Sequence, residues 1–338
     1  MKPRLKKLSD QVIVITGATS GIGLTTARRA AQYGARLVLV ARNEDALKQL
    51  TFELSKRGCD AIHVVADVGI EEDVRRVAQA AIERFGGFDT WVNNAGVSIF
   101  GRNEDVSLND QRRLFQTNFW GVVHGSLVAL EHLKKNGGAL INLGSEVSDR
   151  AVPLQGIYSA SKQAVKGFTE SLRVELEQED APVSVTLIKP AAVDTMFVDH
   201  AKNYLEVEPT LPPPIYAPDV AAQAILYAAE HAKREIYVGG AARLVSSTAH
   251  YAPQMIDGYM KRFLARQQKS GKPARDRRQH SLYVPGNDLQ ERHGYGRQVL
   301  ESSLYTRAVI HPRLVTALLV GAGFAAATLW RSRQKSLA

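Results

Sequence analysis

Seven short runs of apolar, largely β-branched residues recur along the first 240 positions, and amphipathic segments of helical length separate them. The runs fall at 12–16, 36–41, 61–66, 89–92, 139–143, 183–188 and 235–238. Helical patterns cover 21–33, a stretch ending at 56, 71–85, about 110–134 and about 157–178. Apolar strands that are continuous rather than alternating, joined by crossover helices, mean a parallel sheet covered on both faces. The chain is therefore expected to fold as an α/β, doubly wound sandwich. A composition of 45% apolar and 23% charged residues suits one large domain with an appendage and excludes disordered, collagen-like and polytopic membrane chains.

The net charge of +9 points to nucleic acid until it is divided. Residues 261–338 hold 15 Lys/Arg against 4 Asp/Glu, which leaves 28 against 30 for the first 260 residues. All the excess positive charge thus lies in the tail. Residues 261–278, with eight basic side chains and one acid, read as a solvated helix end and linker. They lack interleaved aromatics, so no nucleic-acid partner is expected. A single cysteine, Cys59, excludes an intramolecular disulfide and reads as a small apolar residue. His124 and His132 share a probable helix without metal-ligand spacing, and no metal site is expected.

The first strand runs into Thr16-Gly17-Ala18-Thr19-Ser20-Gly21-Ile22-Gly23, which opens the first helix. Glycines there let the backbone approach a pyrophosphate, and the helix N-terminus offers free N–H donors and a positive dipole end. The placement between first strand and first helix marks a dinucleotide site. The second strand ends in Ala41-Arg42. An NAD ribose calls for an acidic residue at that position, whereas arginine can make charge-assisted hydrogen bonds to the 2′-phosphate of NADP, so NADP(H) is the expected cofactor. Tyr158 and Lys162 stand four apart on one helix face. A phenol with a pKa near ~10 is a poor proton shuttle at neutral pH, and a neighbouring ammonium is expected to lower it. Ser145, 13 residues upstream at a strand end, could hold a substrate oxygen; Ser148 is its rival at a shorter spacing.

These segments, with Asp67-Val68 after the third strand, Asn93-Asn94-Ala95-Gly96 after the fourth and Asn118 in a helix, resemble the short-chain dehydrogenase/reductase family over roughly residues 9–245. The resemblance implies a Rossmann-type sheet. It implies Asp67 and Val68 beside the adenine, and Asn94, Ala95 and Gly96 supporting the adenosine side. It also implies a catalytic set of Asn118, Ser145, Tyr158 and Lys162, with Tyr158 as proton donor or acceptor. Lys162 would hydrogen-bond the nicotinamide ribose, and Asn118 would anchor a water in a proton relay. Pro190, Val193 and Thr195 match the family's nicotinamide loop, with Thr195 on the carboxamide. The family usually has Pro-Gly where this chain has Pro190-Ala191-Ala192, which puts the path of that loop in question. Residues 196–218, stiffened by Pro212-Pro213-Pro214, are expected to close the pocket over a small-molecule carbonyl or alcohol. The family also pairs its long helices into dimers or tetramers, so a homo-oligomer is expected.

The expected division is a catalytic domain over 1–245, a basic extension and linker over 246–310, a membrane-associated helix over 311–331 and a basic tail over 332–338. Residues 314–330 are 17 in a row without a charge, flanked by Arg313, Arg331 and Arg333, a length at the lower edge of what spans a bilayer. No export signal is read, so a cytoplasmic catalytic domain, attached to a membrane through 314–330, is expected. The expected function is an NADP(H)-dependent oxidoreductase; the alternative is a membrane-tethered NADP-binding sensor or scaffold without turnover.

Overall fold

The computed structural model describes residues 3–276, 280–286, 288–294 and 298–311. The seven expected strands form: β1 Val12–Thr16, β2 Arg36–Ala41, β3 Ala61–Val65, β4 Thr90–Asn93, β5 Gly138–Leu143, β6 Val183–Pro190 and β7 Glu235–Val238. They lie in the order β7-β6-β5-β4-β1-β2-β3, and every pairing is parallel. The order reverses beside β1, so the carboxyl ends of β1 and β4 flank the switch point where ligands of open α/β sheets bind.

Both faces of the sheet are covered, as the unbroken apolar runs require. Along β1, Ile13 and Ile15 face one core while Val12 and Val14 face the other, the two-residue period of a strand. The first core is filled by α1 (Gly21–Gln32), α2 (Glu44–Lys56) and Ala221, Ala224 and Ile225 of a helix over Pro218–Glu230. The second is filled by α3 (Glu71–Phe85) through Val74, Val77 and Ala81, and by two long helices over Gly121–Asn136 and Gly156–Gln178.

The helix expected at about 110–134 is interrupted. Leu108–Phe115 is α-helical, Gln116–Trp120 forms a π-turn, and the α-helix resumes at Gly121. Such wide turns re-aim side chains and mark functional sites. Asn118 sits inside this one.

The span read as a linker is folded. Helices run over Gly240–Tyr251, Pro253–Tyr259 and Leu304–Ile310, Lys269–Pro273 pairs antiparallel with Val207–Pro209, and Val299–Leu300 pairs with Ile215–Tyr216. Apolar side chains such as Leu282 and Ile310 are buried in this docking, and polar groups share in it. Gln268 is 1% exposed and donates from Nε2 to the Pro153 carbonyl at 2.9 Å. Thr306 is fully buried and its hydroxyl accepts from the Gly239 N–H at 2.9 Å. Among the described residues no helix is long and apolar enough to cross a membrane. Residues 314–330 lie outside the described residues.

Candidate active site

The turn after β1 needs its glycines. Gly17 and Gly21 adopt φ of +66° and +50°, and a Cβ on Gly23 would lie 2.0 Å from the Gly17 carbonyl oxygen. The tip of β4 braces this turn. Asn94 donates from Nδ2 to the carbonyls of Thr16 at 2.8 Å and Gly17 at 3.2 Å, while the Thr16 hydroxyl accepts from the N–H groups of Asn94 and Ala95. Gly96 then passes beside the far machinery: a Cβ there would lie 3.5 Å from Asn118 Oδ1 and 3.8 Å from Lys162 Nζ.

Two hollows open from the turn and share Gly17, Ser20 and Gly96. The smaller, about 100 Å³, is lined by Thr19, Arg42, Asp67 and Val68. Asp67 accepts the Gly69 N–H at 2.9 Å and is paired with Arg113. Val68 is buried against Gly121. Residues 281–286 and 288–290 of the C-terminal region border this hollow as a strap. Arg42 donates to the carbonyls of Ser281 and Tyr283, the Gly21 N–H donates to the Gln290 carbonyl at 3.0 Å, and Leu289 donates to the Thr19 carbonyl at 2.7 Å. The Asp288 side chain hydrogen-bonds Asn43 and Thr19 and lies near Arg42. These contacts join positions some 240 residues apart, and no local pattern in 281–290 announces them.

The larger hollow, a cavity of about 580 Å³, is lined by Ser145, Tyr158 and Lys162, while Asn118 is fully buried outside its wall. Tyr158 and Lys162 are buried on the helix over Gly156–Gln178. The Ser145 hydroxyl hydrogen-bonds the Tyr158 phenol, whose ring meets Phe197 edge-on at 5.2 Å between centroids. Lys162 donates to the Leu143 carbonyl at 2.8 Å, and its Nζ is 5.9 Å from the Tyr158 ring centre. Asn118 is held at both ends of its amide: Oδ1 accepts the Val97 N–H at 2.8 Å, and Nδ2 donates to the Val97 carbonyl at 2.9 Å and Ser161 Oγ at 3.2 Å. Ser148 is occupied otherwise, because its hydroxyl accepts the Ser145 N–H at 3.1 Å in a capping box that fixes the Glu146–Ser148 turn.

The electrostatics differ from the sequence expectation. Burial pushes the Tyr158 phenol up, its bond to Ser145 lowers it, and nearby Glu146 raises it further. At a remove of 5.9 Å from the ring, Lys162 does not offset desolvation. Burial instead pushes the Lys162 ammonium down to about 8. Glu146, which the sequence reading passed over, lines the same cavity, and burial pushes its carboxyl up to about 7.

The Pro190–Thr195 loop follows β6 without a left-handed residue at Ala191 or Ala192. Ala191 donates to the Val238 carbonyl, Ala192 accepts from Tyr216, and Val193 bridges to Tyr216, so these contacts fix the loop without the positive φ that would call for glycine. Pro190, Val193 and Thr195 all line the larger cavity, and Thr195 packs within 2.9 Å of where a Gly21 Cβ would be. Ile22 lines it too.

Residues 11–204 match the family described as short chain dehydrogenase. The chain belongs to that family. It is 48% identical over 323 residues, 95% of its length and 91% of the relative's, to an uncharacterized oxidoreductase, YxnA, of Bacillus subtilis. An 11-beta-hydroxysteroid dehydrogenase-like protein, 4A, of Arabidopsis thaliana is 40% identical over 56% of this chain and 63% of its own. A short-chain dehydrogenase/reductase from Burkholderia phymatum in complex with NAD superposes with a TM-score of 0.67 at 28% identity, covering 75% of this chain and 97% of that one. An alcohol dehydrogenase from Thermococcus sibiricus complexed with 5-hydroxy-NADP superposes with a TM-score of 0.59 at 30% identity, covering 67% and 95%. The family's members are thus oxidoreductases, and its solved structures hold either nicotinamide dinucleotide.

The two hollows fit such a dinucleotide. One trough runs from Arg42 past the glycine turn to Tyr158, with N–H donors at its middle and cations at both ends. At the Tyr158 end the space needs no rearrangement. At the Arg42 end the strap takes the donors, and about 100 Å³ is well below the ~300–1,000 Å³ of ligand pockets. The strap must retreat for an adenosine phosphate to enter.

Proposed function

We propose that the protein reduces a ketone or aldehyde to an alcohol, or runs the reverse, with NADP(H) as hydride carrier and Tyr158 as proton donor or acceptor. The observation that carries this reading is the convergence of Tyr158, Ser145 and Lys162 around one cavity, with the serine hydroxyl already on the phenol and Asn118 buried behind Gly96. NADP(H), when bound, supplies or takes the hydride at the substrate carbon. The side chains do the rest. Ser145 and Tyr158 both address the substrate oxygen, Ser145 orienting it and Tyr158 donating the proton that neutralises it. A buried phenol that holds its proton favours reduction, in which the oxygen gains negative charge. Lys162, buried next to Gly96, is the cation at that end of the trough, reaching toward a ribose and stabilising phenolate. Asn118, anchored on Val97 and Ser161, keeps a polar route open to bulk water.

Arg42 supports NADP over NAD, since the hollow it lines offers a cation and, in Ser20 and Thr19, hydroxyls for a phosphate. Gly17, Thr19, Ser20, Gly21, Ile22 and Gly23 would cradle the pyrophosphate, and Asp67, Val68, Asn94, Ala95 and Gly96 the adenosine side. Pro190, Val193 and Thr195 would hold the nicotinamide. We read the protein as a homo-oligomer attached to a membrane through residues 314–330. Consumption of NADPH and of NADH, followed against a panel of carbonyl compounds, tests the reaction and the cofactor together. Turnover with NADPH in preference to NADH is expected. Activity with NADH alone would overturn the reading of Arg42. A scaffold without turnover has no need of a buried phenol aimed into an apolar cavity.

A further inference from the structure

The cavity beside Tyr158 carries polar groups that the proton chemistry does not use. Its wall is mostly apolar, with Val152, Leu211, Leu244 and Ile256 among its members. Four of the side-chain donors on this wall are engaged by the protein. Arg150 pairs with Asp257, Gln155 donates to Ser98 at 3.1 Å, Lys162 donates to Leu143, and Gln268 donates to Pro153. The acceptors are different. The Gln268 amide oxygen, on a residue 1% exposed, has no hydrogen-bond partner. The Glu146 carboxyl, on the residue following Ser145, receives no hydrogen bond or ion pair among the described residues, and burial is the one cause that moves it. Its backbone is fixed by the Ser145–Ser148 capping box, and Asp149 beyond that turn is tied to Lys166 at 2.7 Å and Lys189 at 3.0 Å.

We infer that Glu146, together with Gln268, is a specificity-determining subsite that selects a bulky apolar carbonyl compound bearing a hydrogen-bond donor, either an ammonium or a hydroxyl. The inference rests on the proposed reduction for the position of the reacting carbon, which Ser145 and Tyr158 define. Gln268 Oε1 is buried and the Glu146 carboxyl is part-buried at the cavity wall, neither with a donor from the protein, and a ligand that supplies one removes an unpaired acceptor on binding. A ligand lacking the donor leaves the acceptor unpaired, which is why polar sites reject such analogues strongly. A ligand bearing a carboxylate meets like charge and is rejected more strongly still. The enclosure that pushes the Glu146 carboxyl up to about 7 is the same enclosure that makes a donor valuable there. The cavity of about 580 Å³ accommodates a body of several fused or linked rings rather than a small aldehyde.

The test uses the full chain and four matched probes: an unsubstituted two-ring saturated ketone and its hydroxyl-, amine- and carboxylate-bearing analogues. For the unmodified protein, kcat/KM should favour the amine or hydroxyl probe over the unsubstituted ketone by about tenfold or more, with the carboxylate last. In Glu146→Gln the ratio of amine to unsubstituted probe should fall about tenfold. A hydroxyl preference that survives in Glu146→Gln and falls in Gln268→Leu marks the natural donor as a hydroxyl; an amine preference lost in Glu146→Gln marks it as an ammonium. Equal ratios for all four probes, or ratios unchanged in both variants, would overturn the subsite. Calorimetric binding of the amine probe is read alongside turnover. Should no probe be reduced while the amine still binds the unmodified protein and binds Glu146→Gln about tenfold more weakly, the proposed reaction fails and the subsite stands.

Discussion

Burial moves three ionisable groups around the catalytic cavity, Tyr158 and Glu146 upward and Lys162 downward. For Glu146 the direction fixes a pH dependence of stability. Its folded value of about 7 lies above the ordinary 4.5, so the folded chain holds that proton more tightly than the unfolded chain. The resulting stability is present below about 4.5 and is lost as pH rises through about 7. Glu146→Gln removes the ionisation, and the variant should gain about 1–3 kcal/mol on the unmodified protein between pH 5 and pH 8. Urea melts at the two pH values measure it, and a constant difference would show that the carboxyl is solvated. Arg42→Asp acts on the cofactor. Losing a charge-assisted pair and adding repulsion should shift the NADP-to-NAD preference by about 2–4 kcal/mol toward NAD. The ratio of the two dissociation constants is the right readout, because Arg42 also holds the strap and that effect is common to both cofactors.

Among the elements, those whose causes are local were legible in the sequence. The strands read from their β-branched runs, and the glycine turn read from its position between β1 and α1. Tyr158 and Lys162 read from helical spacing and Ser145 from a strand end, whereas Asn118 read only from the family resemblance, which also made the four a set. Three features were not legible, each for want of a local cause. The π-turn that carries Asn118 depends on packing between helices. The enclosure of Glu146 depends on a cavity wall drawn from the chain between residues 143 and 268. The strap over 281–286 and 288–290 docks partly through its own carbonyls and N–H groups, which every sequence possesses, and partly through isolated side chains such as Leu282, which form no periodic pattern. Because those carbonyls sit on Arg42 and on the Gly21 N–H, the proposed NADP site and the docked strap would use the same donors. Amide hydrogen exchange within 281–290 should therefore speed up when NADP is added to saturation. Slower exchange there would show instead that the strap closes over the bound cofactor.

At the scale of the whole molecule, a sheet buried on both faces carries a site built from its carboxyl ends, and the C-terminal region folds back onto that site. The proposed membrane attachment rests on the sequence of the final stretch alone. Residues 314–330 would extend about 25 Å as a helix, just short of a ~30 Å hydrocarbon core, and flanking arginines suit an interface. The full-length chain should sediment with membranes on high-speed centrifugation and be released by detergent; recovery in the supernatant without detergent would remove the anchor. The central claim concerns the catalytic cavity, and one substitution isolates it. Tyr158→Phe keeps the ring that packs on Phe197 and deletes only the hydroxyl that Ser145 meets. Turnover of a carbonyl substrate with NADPH should fall by about 10²-fold or more while the NADPH dissociation constant stays within a few-fold of the unmodified value. Near-normal turnover in that variant would contradict the assignment of the proton to Tyr158.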